Sequence, residues 1–167
     1  MQRRRALLSS LLFAVLVPGN VVVVIPWLIS RWQMQTPFFD LPALRWLGVA
    51  MILVGAPVLL EAIARFAWQG RGTPAPILPT EQLVVTGTYR YVRNPMYVAV
   101  LSSLFGQALL FGSANLLIYA ACVGVGFHAF VRFYEEPTLR RQFDGSYEVY
   151  CRSVRRWWPR LTPWSPT

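Results

Sequence analysis

The sequence predicts an all-α integral membrane protein with about four transmembrane helices, a C-terminal amphipathic helix and both termini cytoplasmic. Three observations carry that expectation. Hydrophobic residues make up 55% of the chain and charged ones 14%, with a mean hydropathy of +0.42; an ordinary soluble domain carries about 25% charged residues. Long stretches are free of formal charge. The cations alternate with those stretches instead of gathering on one face, which is the pattern of membrane topology. The 167 residues suffice for one domain.

Residues 6–29 form an uncharged run of 24, about 36 Å if helical and enough to cross a bilayer with some tilt. Arg3, Arg4 and Arg5 precede it, as in a signal peptide, but no small-residue cleavage site follows. A retained first span is expected, kinked at Pro18–Gly19 and near Pro26. A second span covers residues 46–64; Glu61 near its end either snorkels to the interface or pairs with Arg65. The proline- and glycine-rich QGRGTPAPILPT of residues 69–80 is expected to be an extended loop.

From Asn94 to Val131 there are 38 residues without a formal charge, nearly twice the ~20 that one crossing needs. Gly112-Ser113-Ala114-Asn115 divides them into a helical hairpin, residues 95–111 and 116–134. Asn94 is positioned to cap the first helix, with Pro95 in its first turn. Gly124 and Gly126 read as close helix packing. Pro137 should break the pattern and open a helix over residues 137–153. Leu139, Phe143, Tyr147 and Tyr150 give it one apolar-aromatic stripe for the membrane surface or the hairpin.

All sixteen basic residues are arginine, which points to a GC-rich, bacterial genome. With four spans and cytoplasmic termini, fourteen arginines lie inside and only Arg31 and Arg45 outside. The expected location is the bacterial cytoplasmic membrane, with the polar segment Gly87–Tyr97 and the tail facing the cytosol. The net charge of +9 does not imply nucleic acid, because no recognisable binding module accompanies it. Cys122 and Cys151 should sit at different membrane levels, unpaired, and no metal-ligand spacing is present.

Two stretches carry chemistry. GTYRYVRNPMY, residues 87–97, is a basic, aromatic strip at the mouth of the hairpin. His128, Arg132, Glu135 and Glu136 stand at i, i+4, i+7 and i+8 of one helix, within about 80° of each other. Taken blandly, His128 is an interhelical hydrogen-bonding residue and Arg132–Glu136 an interfacial ion pair. Their convergence with the aromatic helix points instead to a pocket for a charged, adenine-bearing molecule, with access for an oily substrate.

GTYRYVRNPMY, the hairpin, FYEEPTLRRQF, YEVY and RRWWPRLTPW together resemble the isoprenylcysteine carboxyl methyltransferase family, integral-membrane enzymes related to phospholipid methyltransferases. The resemblance covers roughly residues 72–164. It implies S-adenosylmethionine as cofactor, with contacts from Tyr91, Arg93, Asn94, Pro95, Tyr97, His128, Glu135, Glu136, Tyr147 and Tyr150. It implies catalytic roles for Arg93 and Glu136, and a lipidic or small hydrophobic methyl acceptor. Members of the family often have histidine where this chain has Asn94, glycine where it has Asp144 and proline where it has Arg155. A nicotinamide-dependent membrane sterol-type reductase shares the Arg-His/Asn-Pro-x-Tyr ending but is generally much larger. A non-catalytic membrane scaffold or partner subunit would explain the spans but not the clustered polar residues. The residues do not specify an oligomeric state.

Overall fold

A computed structural model describes residues 15–69, 83 and 85–165, and every regular element among them is helical. The first part of the expected first span (residues 6–14) and most of the expected loop at 69–80 lie outside the described residues. Val15–Val24 is a wide π-helical stretch that takes Pro18 inside it, and it runs into α1, Ile25–Ser30. Proline lacks an amide proton and crowds the preceding turn of an ordinary helix; widening the turn relieves the crowding. Two carbonyls of this stretch are used by other helices: Gln107 donates to Val22 at 2.8 Å and the Tyr119 hydroxyl to Val21 at 3.0 Å.

Helix α2, Ala43–Gln69, extends past the expected span at both ends. Helices α3, Pro95–Phe111, and α4, Ala114–Phe130, form the expected hairpin. At its turn Gly112 adopts φ +68°, where a side chain would collide with the Thr36 carbonyl oxygen. Ser113 accepts a bond from the Leu116 amide and caps α4. By length and composition two helices can cross a membrane, Ala43–Arg65 and the continuous run Ala114–Ser153; Leu16–Ser30 and Pro95–Phe111 are shorter and apolar.

The hairpin packs on α2 backbone to backbone. Gly48 faces Gly106, and Gly55 faces the Ala99 carbonyl and Ser103, so α2 and α3 run antiparallel. The Ser102 hydroxyl bonds the Met51 carbonyl across this contact at 2.9 Å. Close approach of this kind lets small residues maximise dispersion contacts where no hydrophobic force distinguishes helix from lipid. The glycines singled out in the sequence behave differently. A methyl on Gly124 would make ordinary contact with Leu101 at 3.5 Å, and one on Gly126 would meet nothing within 4 Å. Close packing therefore belongs to Gly48, Gly55 and Gly106.

The expected break at Pro137 does not occur. A π-helical turn, Val131–Glu135, carries α4 directly into α5, Glu136–Ser153, with Pro137 in its first turn. A proline inside a continuous helix forfeits one intrahelical bond, and the wider π turn just before it makes room for the ring. The run from Ala114 to Ser153 has 40 residues, about 60 Å and twice a bilayer's hydrocarbon thickness, so it is longer than one crossing needs, and α4 is its charge-free part. The real break is at Asp144, with φ +38° and ψ −123°. It folds α5 enough for Arg140 and Glu148 to meet at 3.2 Å. The stripe of α5 is not left to lipid: Tyr147, Tyr150 and Val154 are buried, with Leu83, Val85, Leu139, Phe143 and Trp164 packed around them.

A non-glycine residue at such a φ stores on the order of 1–3 kcal/mol of strain, against which glycine's extra unfolded-state freedom counts. Asp144→Gly is expected to stabilise the fold by about 1 kcal/mol, read as a rise of roughly 2–4 °C in the unfolding midpoint of the detergent-solubilised protein. An unchanged or lower midpoint contradicts the strain.

Candidate functional site

The polar strip begins as a single 3₁₀ turn, Gly87–Arg90, with Gly87 at φ +57°. The positive φ favours glycine there, and the Arg65 guanidinium lies in the space a side chain would take. Arg65 forms a close ion pair with Glu61, whose other oxygen accepts the Thr88 hydroxyl at 2.8 Å. Glu61 thus serves as a tie between the end of α2 and the strip.

From there the strip runs alongside the C-terminal tail in opposite directions. The Arg93 amide donates to the Arg155 carbonyl at 3.0 Å, the Arg160 amide to Tyr91 at 2.9 Å and the Trp164 amide to Arg90 at 2.9 Å. Arg90 returns a side-chain bond to the Trp164 carbonyl at 2.6 Å. Asn94 holds the N-cap position of α3, yet its side chain does not cap the helix; it donates to the Arg156 carbonyl at 3.2 Å. The tail has claimed the capping group.

Glu136 is the centre of the cluster. Its side chain is only 3% exposed and receives two bonds from Arg156, 2.6 Å from Nε and 2.7 Å from Nη2. Arg93 approaches the same carboxylate at 3.2 Å and donates to the Cys151 sulfur at 2.6 Å. Burial alone would raise the pKa of Glu136, but the Arg156 bonds and the charges of Arg93, Arg156 and Arg140 outweigh it and hold the group below the usual carboxylate range. The neighbouring Glu135 goes the other way. Burial raises its pKa, the bond from the Tyr97 hydroxyl at 2.9 Å works against that, and the charge of Glu136 adds to it. Two adjacent carboxylates with opposite shifts are the arrangement from which distinct acid–base roles arise.

Of the residues expected in the site, Asn94 and Glu136 meet Arg156 and Arg93 reaches the same Glu136 carboxylate, while Tyr97 and Glu135 pair beside them. Pro95 is buried in the first turn of α3. Tyr150 donates to the Tyr89 carbonyl at 2.7 Å and packs with Tyr147, ring centres 6.3 Å apart. His128 is exposed and stacks on Trp157 at 6.0 Å instead of bonding another helix. Tyr91 contributes its backbone, its ring remaining exposed. Arg132 is exposed, and among the described residues it forms no ion pair with Glu136. The helical wheel puts them on one face, but Arg156 and Arg93 take the carboxylate.

Sequence reasoning missed Arg156, Cys151, Trp157 and Tyr89. Burial first, and then the Glu135 charge, push the Tyr89 hydroxyl well above the ordinary tyrosine range, which places it among the carboxylates. Helical periodicity gave no signal for Arg156 or Trp157, since both lie in the irregular tail. Cys151, one turn beyond Tyr147, could have been found from the stripe. Among the described residues no group of acidic, histidine and cysteine side chains has the makings of a metal site.

Three buried donors have no hydrogen-bond partner among the described residues: Arg93 Nε and Trp157 Nε1 in this cluster, and Arg45 Nε at the other end of the bundle. Unpaired buried donors are uncommon in a folded protein, and the two in this cluster are available to an acceptor. The unpaired Arg93 and Trp157 donors, the Glu135 carboxylate and the half-exposed ring of Trp157 together suit a small zwitterion carrying a flat ring, while Tyr147 and Tyr150 are buried in the packing behind them. A family model described as phospholipid methyltransferase matches residues 43–146, more than half of the chain. No curated protein and no solved structure matches it.

Proposed function

Because the chain belongs to the phospholipid methyltransferase family, and is thus a membrane methyltransferase, we propose that it uses S-adenosylmethionine to methylate a lipidic or small hydrophobic acceptor at the membrane–cytosol interface. The observation that carries this reading is the buried Arg93–Glu136–Arg156 cluster, with a spare Arg93 donor, set directly beside the Tyr97–Glu135 pair. The donor set fits the cofactor: Arg93 and Trp157 would hold its carboxylate and ring acceptors, and Glu135 its ammonium or ribose hydroxyls. When bound, S-adenosylmethionine supplies a methyl group already activated for in-line displacement.

What remains for the protein is orientation, exclusion of water and proton management. Glu136 is committed to two arginines and fixes the guanidinium of Arg93. Its role is therefore to position Arg93, which faces the ligand. Glu135 is the group able to take a proton, at the oxygen that Tyr97 does not bond. An amine acceptor requires such a base, whereas a carboxylate or thiolate does not. The arginine distribution supports a site facing the cytosol, with Arg31 and Arg45 at the opposite end of the bundle.

Purified protein is expected to bind S-adenosylmethionine, and Arg93→Ala to weaken binding by about tenfold or more, the loss of one charge-assisted bond. Calorimetry reads this directly. Equal affinity in the two proteins removes Arg93 from the pocket, and binding of NADPH that displaces S-adenosylmethionine favours a reductase. A folded sample that binds neither returns the chain to a scaffold role. Incubating membranes with methyl-labelled cofactor then identifies the acceptor by the species that acquires label.

A further inference from the structure

We infer that the turn formed by residues 157–161 is a foot that seats on anionic phospholipid headgroups and thereby holds the tail over the site. The turn lies between fixed points. On one side Arg156 is bonded to Glu136 and the Arg155 carbonyl to the Arg93 amide; on the other the Trp164 amide is bonded to Arg90, and within the turn the Arg160 amide is bonded to Tyr91. Between them the chain turns outward. Leu161 is fully exposed at 100% and Trp158 is 73% exposed.

Fixed tie points do not account for a leucine and a tryptophan turned away from the protein. Their place in the fold does. The tail is bonded to residues 90–93, immediately before Pro95 opens α3, so the turn stands at the level where the chain enters the apolar layer. Tryptophan favours that boundary because its ring is apolar and its N–H is polar. The charge is complementary as well. From Ser153 to Ser165 there is no carboxylate, and Arg152 and Arg155 are exposed. The acids nearby are on α5, where Glu148 is paired with Arg140 and Asp144 occupies the break. Arginines near an anionic leaflet gain from its negative surface potential. The partner that matches both features is an anionic phospholipid leaflet.

Lipid engagement is coupled to the site through the same four bonds, because they hold Arg90, Tyr91 and Arg93 as well as the tail. The foot rests on the chemical surface alone; its link to catalysis rests on the function proposed above. The test is hydrogen exchange of the full chain in nanodiscs of phosphatidylcholine, or of phosphatidylcholine with phosphatidylglycerol, at the amides of Arg93, Arg160 and Trp164. Phosphatidylglycerol is expected to slow exchange at these three amides about tenfold, and a Trp158→Ser/Leu161→Ser variant to abolish the difference while still folding and binding S-adenosylmethionine. Equal exchange in the two lipids overturns the foot, as does a lipid effect that survives in the variant. Reproduction of the slowing by soluble phosphate in phosphatidylcholine discs, or by dimer formation, also overturns it. Absence of cofactor binding in every disc sinks the methyl-transfer reading and leaves the exchange result standing.

Discussion

Glu136→Ala is expected to lower stability by about 3 kcal/mol and to abolish detectable S-adenosylmethionine binding. Removing one partner of a buried ion pair leaves the other charge uncompensated, at a cost on the order of 3–5 kcal/mol. Here Arg93 is 11% and Arg156 25% exposed, so water compensates part of the loss and the lower end applies. For a chain of this size that is a fall of roughly 6–12 °C in the unfolding midpoint. A double-mutant cycle with Arg156→Ala isolates the pair, and a coupling energy indistinguishable from zero contradicts the cluster. The pH dependence has a definite sign. Glu136 has a folded pKa below its ordinary 4.5, so its stabilisation is fully present above that value and is lost as pH falls through the lowered one. Glu136→Gln should flatten this acid limb.

Gly48→Leu is expected to leave no folded protein in detergent, and Gly48→Ala to cost about 2 kcal/mol. A methyl group on Gly48 would stand 2.5 Å from the Gly106 carbonyl oxygen and 2.7 Å from the Leu110 amide nitrogen. Those atoms belong to helix backbone, so the helices must separate along the contact, and overpacking of this kind costs about 1–3 kcal/mol for a single methyl. Separation also stretches the Ser102–Met51 bond. Gly126→Ala is the internal control: with nothing within 4 Å, it should change stability by less than about 0.5 kcal/mol. A size-exclusion profile and unfolding midpoint for each variant check the ranking. If Gly48→Ala and Gly126→Ala prove equally harmless, the helix contact is looser than the structure shows.

Hydropathy alone delimits α3 and the hairpin turn, because apolar length and turn residues are local properties. The same locality explains the errors. Pro137 reads as a helix breaker, yet the π turn before it makes room for its ring and the helix continues, while the break falls at Asp144-Gly145, a turn dipeptide set within a helical stripe. Gly124 and Gly126 look like packing residues because their span is apolar, but a glycine packs closely only where another helix arrives. That second helix is α2, and its Gly48 and Gly55 were not distinguished by spacing.

The strip at 87–97, the Glu135–Glu136 pair and the aromatic stripe of α5 could be named from residue order, since each lies within a few turns of chain. Which charge answers which was decided only by the fold. Arg132 is four residues from Glu136 and does not pair with it, while Arg156 arrives from 20 residues away with both nitrogens aligned. The tail has no periodicity of its own, and its path is set by backbone groups of residues 90–93 that helix formation leaves unpaired. Local sequence determined where the chain prefers hydrocarbon and where it prefers water. The assignment of partners required the tail to fold back, because the cost of burying Glu136 is recovered only when two guanidinium groups reach it together.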